Sequence, residues 1–285
     1  MATTTTGPSG PAEATSGSGG TRRLSPRKRR RITLGIQYVI FVAVIVVVAV
    51  SINWGDIQEH FFDPGGAEEM LPEVFTIALK NTIIYALTGY AFGFVLGMIL
   101  ALMRLSSVAP YRWAALIYIE IFRGLPLLLV LLLIAFGLPV AFPGLEFPFG
   151  HYGQGAVGLG LVAAAYLAET LRAGIQAIPR GQMEAARSLG MSRPRAMISI
   201  VIPQAVRVVI PPLTNELIVL FKDSSLVSAI GVVAEEVEVT KLGSDVAIRT
   251  ADSTPFIVAG AAYLLITVPL GILVRRLEAR QAKGR

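Results

Sequence analysis

The sequence predicts an all-α integral membrane protein with six transmembrane helices. Hydrophobic residues make up 54% of the 285-residue chain and charged residues only 15%, whereas soluble domains average about 45–50% and 25%. The mean hydropathy is +0.65, and the charges are concentrated in short segments between long apolar runs. Because a bilayer core needs about 20 consecutive apolar residues per helix, these runs are interpreted as membrane spans.

Residues 1–31 are expected to form a disordered, basic, cytoplasmic tail. Residues 1–21 lack an apolar period. Residues 22–31 contain seven Lys and Arg residues, which anchor an extra N-terminal transmembrane helix over residues 32–52. A cleaved signal peptide is the alternative, because Ala49-Val50-Ser51 has the small-x-small pattern of a cleavage site. The apolar run is, however, longer than the roughly 7–15 residues of a signal core.

The second and third spans each carry a feature beyond hydrophobicity. The second is predicted over residues 74–103, with three glycines spaced four apart on one face: Gly89, Gly93 and Gly97. Such stripes of small residues let membrane helices pack closely. The third is predicted over residues 111–142. It is expected to break at residues 123–126, where glycine weakens the helix and proline removes a hydrogen bond.

Three more spans complete the predicted bundle. They cover residues 155–178, Pro203 to about residue 221, and residues 256–273. The pair Pro211-Pro212 is expected to kink the fifth span. Residues 222–255 are acidic and amphipathic, which indicates a short surface or re-entrant helix. Residues 276–285 form a basic tail.

The distribution of charge predicts the orientation of the chain. With the N-terminus inside, 20 of the 25 Lys and Arg residues fall in segments predicted to be cytoplasmic, as the positive-inside rule requires. Most acidic residues fall in the predicted outer segments. If both termini lie inside the cell, the number of spans has to be even, in agreement with six. We therefore expect a multi-pass cell-membrane protein with both termini in the cytoplasm.

The composition excludes several kinds of chemistry. The chain has no cysteine and only two separate histidines, His60 and His151, so it offers neither a thiolate site nor a His-rich metal cluster. It lacks the G-x-x-x-x-G-K-[ST] loop that cradles the phosphates of ATP. The net charge of +6 lies beside apolar runs, which membrane topology explains better than nucleic-acid binding. No metal, cofactor or catalytic residue is expected in this chain.

The polar segment between the fourth and fifth spans has the most informative spacing in the chain. Glu184-Ala185-Ala186 is followed by three residues and then Gly190. After nine intervening residues comes Ile200-Val201-Ile202-Pro203, which is expected to stop the polar segment before the fifth span. We call residues 180–203 the coupling segment.

Each residue type in the coupling segment has a physical reason to be there. Gly190 tolerates a positive φ, so it can join two short helices at an angle. Glu184 and Arg187 share one exposed helix face at i, i+3, where they can complement a partner. Ala185 and Ala186 keep that face small enough to insert into a cleft on another protein.

This spacing resembles the coupling loop of ABC importer permeases, usually written E-A-A-x3-G-x9-I-x-L-P. Only Ile202 departs from it, standing where leucine is usual. The resemblance implies the MetI-like fold of these permeases over residues 74–275, to which the N-terminal helix is an addition. It also implies that the loop docks on separate ATPase subunits, which hold ATP and Mg²⁺. The chain itself is then a non-catalytic transport subunit.

Three further phrases are similar to those of the polar amino acid uptake branch of these importers. They are IEIFRGLPLL at residues 119–128, AYLAETLRAGI at residues 165–175 and LFKDSSL at residues 220–226. The resemblance implies import of a polar amino acid such as glutamate or glutamine across a bacterial cell membrane. It implies as partners a second permease copy or a paralogue, two ATPase subunits and an extracytoplasmic amino acid-binding protein.

Polar residues inside the apolar segments are candidates for the translocation pathway. An ionised group costs about 2.5–3.5 kcal/mol at the centre of a span. The candidates are Glu120, Arg123, Glu169, Arg172, Asn215 and Glu216. One hypothesis is that they line the pathway and face the zwitterionic head of an amino acid. The alternative is that Glu120 with Arg123, and Glu169 with Arg172, form i, i+3 ion pairs that hold the bundle together.

The predicted outer end of the fifth span contains a candidate outer gate, Lys222-Asp223-Ser224. This group could close the pathway or receive the binding protein. The alternative is a plain helix end, where a cation is favourable beside the negative end of the helix dipole.

Other functions stay open at this point. An importer of a different small solute would share the coupling segment, and only the three flanking phrases argue against it. A secondary transporter would need an internal repeat or a full set of ion ligands in one chain, and no clear repeat is visible. A membrane anchor or sensor would carry a folded soluble domain, and no segment outside the spans is long enough for one.

Overall fold

The computed structural model describes residues 26–283, and every regular element within this range is helical. The described α-helices are α1 (Pro26–Ser51), α2 (Trp54–Phe61), α3 (Pro64–Glu73), α4 (Leu79–Leu105), α5 (Ala109–Gly124), α6 (Leu127–Leu132), α7 (Leu138–Ala141), α8 (His151–Gln176), α9 (Arg180–Ser188), α10 (Arg193–Ala196), α11 (Ile202–Asp223), α12 (Val239–Thr250) and α13 (Thr254–Lys283). Three π-helical turns join some of these helices, at Val74–Ala78, Leu133–Gly137 and Met197–Val201.

The number of spans agrees with the prediction of six. Five helical stretches within residues 26–283 are long and apolar enough to cross a membrane, and α5 with α6 and α7 forms a sixth that bends by 105°. The chain divides into two compact units at residue 54, and α1 belongs to the first of them.

The ends of the first and last spans differ from the prediction. Residues 26–31, predicted to be disordered, are helical because α1 begins at Pro26, and proline is well suited to the first helical position. The remainder of the predicted tail, residues 1–25, lies outside the described residues. The last span continues as α13 to Lys283 instead of ending at residue 273, because its Arg- and Ala-rich end favours helix.

Prolines shape the third and fifth spans. The predicted break is confirmed: α5 ends at Gly124, and Leu125 and Pro126 are extended before α6 begins. In contrast, Pro203 does not stop a helix, because a π-helical turn joins α10 to α11. The wider turn lies where the proline ring would otherwise clash with the carbonyl four residues earlier. Helix α11 also continues through Pro211-Pro212 without interruption.

Helices α4 and α8 form the most extensive helix pair of the second unit. The predicted glycine stripe of α4 lies in their interface. A Cβ atom on Gly93 would stand 3.0 Å from the backbone oxygen of Gly160, and one on Gly97 would stand 3.0 Å from that of Ala164. The two backbones are therefore in direct contact, and lipid is excluded between them.

The short helix predicted within residues 222–255 is α12, and the segment before it is held by buried polar contacts. Short 3-10 turns at Ser224–Ile230 and Ala234–Glu236 lead into α12. The Glu238 side chain is fully buried, and accepts hydrogen bonds from the backbone N–H groups of Thr240 and Lys241. Burial raises the pKa of the Glu238 carboxyl, although these hydrogen bonds oppose the shift.

A further set of contacts ties this segment to α4 and α8. Asn81 Nδ2 donates to the backbone oxygens of Glu235 and Val237, at 2.8 and 2.9 Å. Tyr152 in turn donates to Asn81 Oδ1 at 2.7 Å. His151 Nδ1 lies 2.6 Å from Glu236 Oε2. The polar groups of the irregular backbone are thus satisfied, as burial requires.

Replacing Gly93 with alanine is expected to destabilise the second unit. The new methyl group would meet the backbone of Gly160 and Cβ of Ala163 at 3.0 Å, and neither can move independently of α8. Overpacking of this kind costs about 1–3 kcal/mol. The thermal unfolding of the purified variant measures the loss.

The matched control is Gly260→Ala in α13, where a Cβ atom meets nothing within 4 Å. This change is expected to keep or slightly raise stability, because alanine favours helix by about 1 kcal/mol over glycine. Equal melting temperatures for the two variants would contradict the close α4–α8 contact.

Candidate functional site

The coupling segment folds as two short helices joined by a turn, in agreement with the sequence prediction. Helix α9 covers Arg180–Ser188 and α10 covers Arg193–Ala196. Gly190 lies between them with φ of +82°, a conformation that only glycine adopts at little cost. The backbone N–H of Met191 donates to the oxygen of Ala186 and closes the end of α9.

The exposed face of α9 differs from the prediction at one residue. Glu184, Ala185 and Arg187 are exposed, whereas Ala186 is buried within the chain. The two alanines therefore have different surroundings, because consecutive helix residues point about 100° apart. Only Ala185 can contribute to a small exposed face.

The sequence interpretation missed Leu189, whose side chain is 85% exposed beside the Gly190 turn. This exposed leucine follows the exposed residues Arg187 and Ser188 in the sequence. Exposed single apolar residues are common. This one stands at the tip of a turn, where a partner can reach it from several directions.

The coupling segment is attached to α11 as well as to α8. Gln204 Nε2 donates to Gln182 Oε1 of α9 at 3.2 Å and to the backbone oxygen of Ile200 at 3.0 Å. Ile200 is half-buried in the π-helical turn, and Pro203 is exposed at the start of α11. Helix α9 is therefore bonded to α11 as well as joined to α8 along the chain.

A second feature is a cavity of about 320 Å³ between α4, α6, α8 and α11, which we call the acidic cavity. Its lining residues are Tyr90, Leu125, Leu127, Leu159, Val162, Ala163, Tyr166, Glu216, Val219, Leu220 and Asp223. Glu216 and Asp223 stand seven residues apart on α11, which is two helix turns. The cavity thus brings together one predicted pathway residue and one predicted gate residue.

Arg123 lies beside this cavity. Its guanidinium carbon is 5.4 Å from the ring centroid of Tyr166 on α8, within the range of a cation–π contact. The predicted i, i+3 ion pair with Glu120 is not formed. Both side chains are exposed, and Glu120 has no ion pair within residues 26–283. The break after Gly124 leaves Arg123 at a helix end, from which it reaches α8.

Glu169 and Arg172 form the other predicted pair. Arg172 Nη2 lies 2.6 Å from Glu169 Oε2, and Arg172 Nη1 donates to Gln176 Oε1 at 2.6 Å. Arg104, at the end of α4, approaches Glu169 Oε1 to 3.7 Å with its Nε. This Nε is buried without a hydrogen-bond partner in the described chain. Glu169 therefore joins α4 to α8 at the end nearest the coupling segment.

The other predicted polar residues have separate surroundings. Asn215 is exposed and does not line the acidic cavity. Lys222 is exposed at the end of α11, whereas Ser224 is fully buried and donates to the backbone oxygen of Phe221 at 2.7 Å. Of the three predicted gate residues, only Asp223 faces the cavity. Ser224 instead lies at the end of α11, where its hydroxyl bonds back to the helix.

Within residues 26–283, no three His, Asp or Glu side chains are placed to hold a metal ion. The arrangement offers two other capacities. One is an exposed helical protrusion linked to two spans, and the other is a membrane-embedded cavity with carboxylates on one wall.

This combination is that of the membrane subunit of a transporter. The model of the family "Binding-protein-dependent transport system inner membrane component" matches residues 93–283. This is more than half of the chain, and the protein belongs to this family.

Relatives with known names cover most of the chain. A probable glutamine ABC transporter permease of Bacillus subtilis (strain 168) is 39% identical over 206 residues, which are 72% of this chain and 91% of the relative. An arginine transport system permease of the same organism is 34% identical over 209 residues, which are 73% and 90%.

Solved structures share the fold. A crystal structure described as an amino acid ABC transporter with histidines is 35% identical, with a TM-score of 0.68 over 76% of this chain and 98% of the other. An inward-facing MetNI methionine ABC transporter has a TM-score of 0.58 at 19% identity, covering 71% of this chain and 94% of the other, and shows the fold alone. The fold of residues 55–283 is therefore that of ABC importer permeases.

Replacing Glu169 with glutamine is expected to lower the stability of the protein. The change leaves two guanidinium groups, those of Arg104 and Arg172, without their anionic partner. An unsatisfied, partly buried group costs about 1–3 kcal/mol. Melting temperature and abundance in the membrane should both fall.

The control for this test is Glu120→Gln, which removes an exposed carboxyl that forms no described ion pair. Its stability is expected to equal that of the unchanged protein. If Glu169→Gln keeps full stability while transport is lost, Glu169 serves the pathway rather than the helix contact. Full stability with unchanged transport would contradict both roles.

Proposed function

We propose that the chain is the permease subunit of an ATP-driven importer of polar amino acids in a bacterial cell membrane. The observation that carries the proposal is the exposed α9–α10 protrusion, with its Gly190 turn, in a chain whose relatives are named amino acid ABC transporter permeases. The chain forms the translocation pathway, and a separate ATPase hydrolyses ATP. A second permease copy or a paralogue, ATPase subunits and an extracytoplasmic binding protein complete the assembly.

The protrusion supports docking on the ATPase. Glu184 and Arg187 provide a mixed-charge face, and Leu189 adds an exposed apolar contact at the tip. Interfaces combine an apolar centre with a polar rim in this way. Because α9 is bonded to α11 through Gln182 and Gln204, movement of the docked helix would displace the wall of the acidic cavity. The segment then lies in the cytoplasm, and both termini lie there with it.

The acidic cavity supports an amino acid as the solute. Glu216 and Asp223 can accept hydrogen bonds from an ammonium group, and Arg123 beside the cavity can bind a carboxylate. Tyr90 and Tyr166 add polar edges to an otherwise apolar lining. Two carboxylates against one guanidinium favour a neutral or basic polar amino acid over an acidic one. Glutamine therefore suits the cavity better than glutamate.

Leu189→Glu is expected to weaken the association with the ATPase while leaving the fold intact. The side chain is exposed, so the fold loses little, but a charge replaces the apolar centre of the proposed contact. Co-purification of the ATPase with a tagged chain should fall at least tenfold. Gly190→Trp, which strains the turn itself, should also abolish it.

The matched control is Ile248→Glu, since Ile248 is 78% exposed on α12 and lies outside the coupling segment. This variant should retain the ATPase in full. A well-folded chain that never co-purifies with an ATPase would contradict the proposal and favour a secondary transporter.

Removing a carboxyl from the acidic cavity is expected to weaken solute binding. Charge-assisted hydrogen bonds contribute about 1.5–3 kcal/mol, so Glu216→Gln should raise the KM of uptake roughly 10- to 150-fold. Uptake is measured in vesicles that contain the assembled transporter. Glu278→Gln is the control, because it removes an exposed carboxyl near the end of α13. Equal KM values for both variants would exclude Glu216 from the pathway.

A further inference from the structure

A cavity larger than the acidic cavity lies elsewhere, at the hinge between α8 and the coupling segment. It has a volume of about 580 Å³, and we call it the hinge cavity. Its lining residues are Ile175, Gln176, Ile178, Pro179, Arg180, Met183, Arg193, Met197 and Val201. It shares no residue with the acidic cavity, so the solute pathway does not account for it.

The hinge cavity lies where two spans reach the membrane surface. One span ends at Gln176 and the next begins at Arg193. At Gly174, near the end of α8, helices α8 and α11 are in close contact, since a Cβ atom on Gly174 would stand 1.8 Å from Cγ1 of Val209. After this contact the chain passes from α8 into α9, and α8 and α11 separate. Because the spans end here, the opening is expected at the level of the lipid headgroups, on the side that carries the coupling segment.

The lining combines positive charge with apolar surface. Arg180 and Arg193 both face the cavity, and neither forms an ion pair within residues 26–283. Helix α9 starts at Arg180 without any side-chain hydrogen bond to its first turn, and the positive end of its dipole lies there. Most of the remaining lining is apolar, including Met183, Met197 and Val201.

We propose that the hinge cavity binds the headgroup of an anionic phospholipid. The phosphate lies between Arg180 and Arg193, and the upper ends of the acyl chains lie against Met183 and Met197. Guanidinium groups suit phosphate because they donate two parallel hydrogen bonds. Free phosphate would satisfy the arginines alone. The apolar lining and the position at the membrane surface select a phosphate that carries acyl chains.

A lipid in this place would connect three parts of the chain. It would contact the end of α8, the start of α9 and the start of α10. The hinge on which the coupling segment turns would then be sensitive to the anionic lipid content of the membrane. This consequence for transport rests on the proposed function, whereas lipid binding itself does not.

The first test counts the phosphatidylglycerol molecules that stay bound to the purified full-length chain, by native mass spectrometry. The variant Arg180→Gln with Arg193→Gln is expected to lose at least tenfold in affinity for phosphatidylglycerol. The matched control is Arg195→Gln with Arg207→Gln, which removes the same charge from exposed arginines that do not line the cavity. It should bind the lipid as the unchanged chain does.

A second measurement uses the unchanged arginines and so does not depend on the folding of the double variant. Because the chain has no cysteine, Met183→Cys places a single thiol on the cavity wall. Phosphatidylglycerol should slow the labelling of this thiol at least tenfold, while phosphatidylcholine should not. Labelling of Ile248→Cys on α12 should be unaffected by either lipid.

Three outcomes would overturn the proposal. Equal lipid loss in the two double variants would indicate a general charge effect. Protection of Met183→Cys by inorganic phosphate as strongly as by phosphatidylglycerol would identify a free anion as the ligand. Protection only when the ATPase is present would mean that the partner protein fills the cavity. Measurements on the chain alone test lipid binding and do not test the proposed function. Either proposal can therefore fail while the other stands.

Discussion

The direct contact of the α4 and α8 backbones is the constraint on which the rest of the second unit depends. In a bilayer no hydrophobic force draws helices together, so close packing has to supply the association. Gly93 and Gly97 allow this close packing on α4, and Gly160 allows it on the facing side of α8. With α4 fixed on α8, Tyr90 and Tyr166 face the same acidic cavity, and Arg104 comes within reach of Glu169.

The second constraint is that backbone polar groups in a membrane need partners. The chain meets it in two ways. At Leu125 and Pro126 the helix is interrupted, and the Leu125 N–H still bonds to the oxygen of Ile121. Near Val237 the irregular segment is satisfied instead by Asn81 of α4. Irregular backbone thus occurs where other groups of the protein satisfy its hydrogen bonds, beside the cavity and at the end of the bundle.

The sequence predicted those features that depend on local physics. Hydropathy located the six spans, proline and glycine located the break before Leu125, and the need for a positive φ located the turn at Gly190. The predicted helix boundaries were less accurate, because a π-helical turn allows Pro203 to continue a helix.

The rotation of each helix about its own axis could not be predicted from the sequence. A membrane helix can be apolar all round, so its hydropathy does not say which side faces the protein. For this reason Ala186 was expected to be exposed and is buried. Of the two alternatives for Arg123, the ion pair with Glu120 is not formed, and Arg123 contacts Tyr166 instead. Asp223 was assigned to an outer gate, and its place beside Glu216 in the acidic cavity emerged only from the fold.

The position of the coupling segment in the chain gives a physical route between the two ends of the molecule. Helix α9 stands between α8 and α11, and these two helices carry Tyr166 and Glu216 on the walls of the acidic cavity. From α10 through the π-helical turn to Asp223 the helical path is unbroken. Because packed helices move as rigid bodies, the proposed function predicts that a displacement of α9 shifts Glu216 and Asp223 relative to Tyr166. The hinge cavity occupies the point from which this motion starts, so whatever fills it sets how freely the push is transmitted.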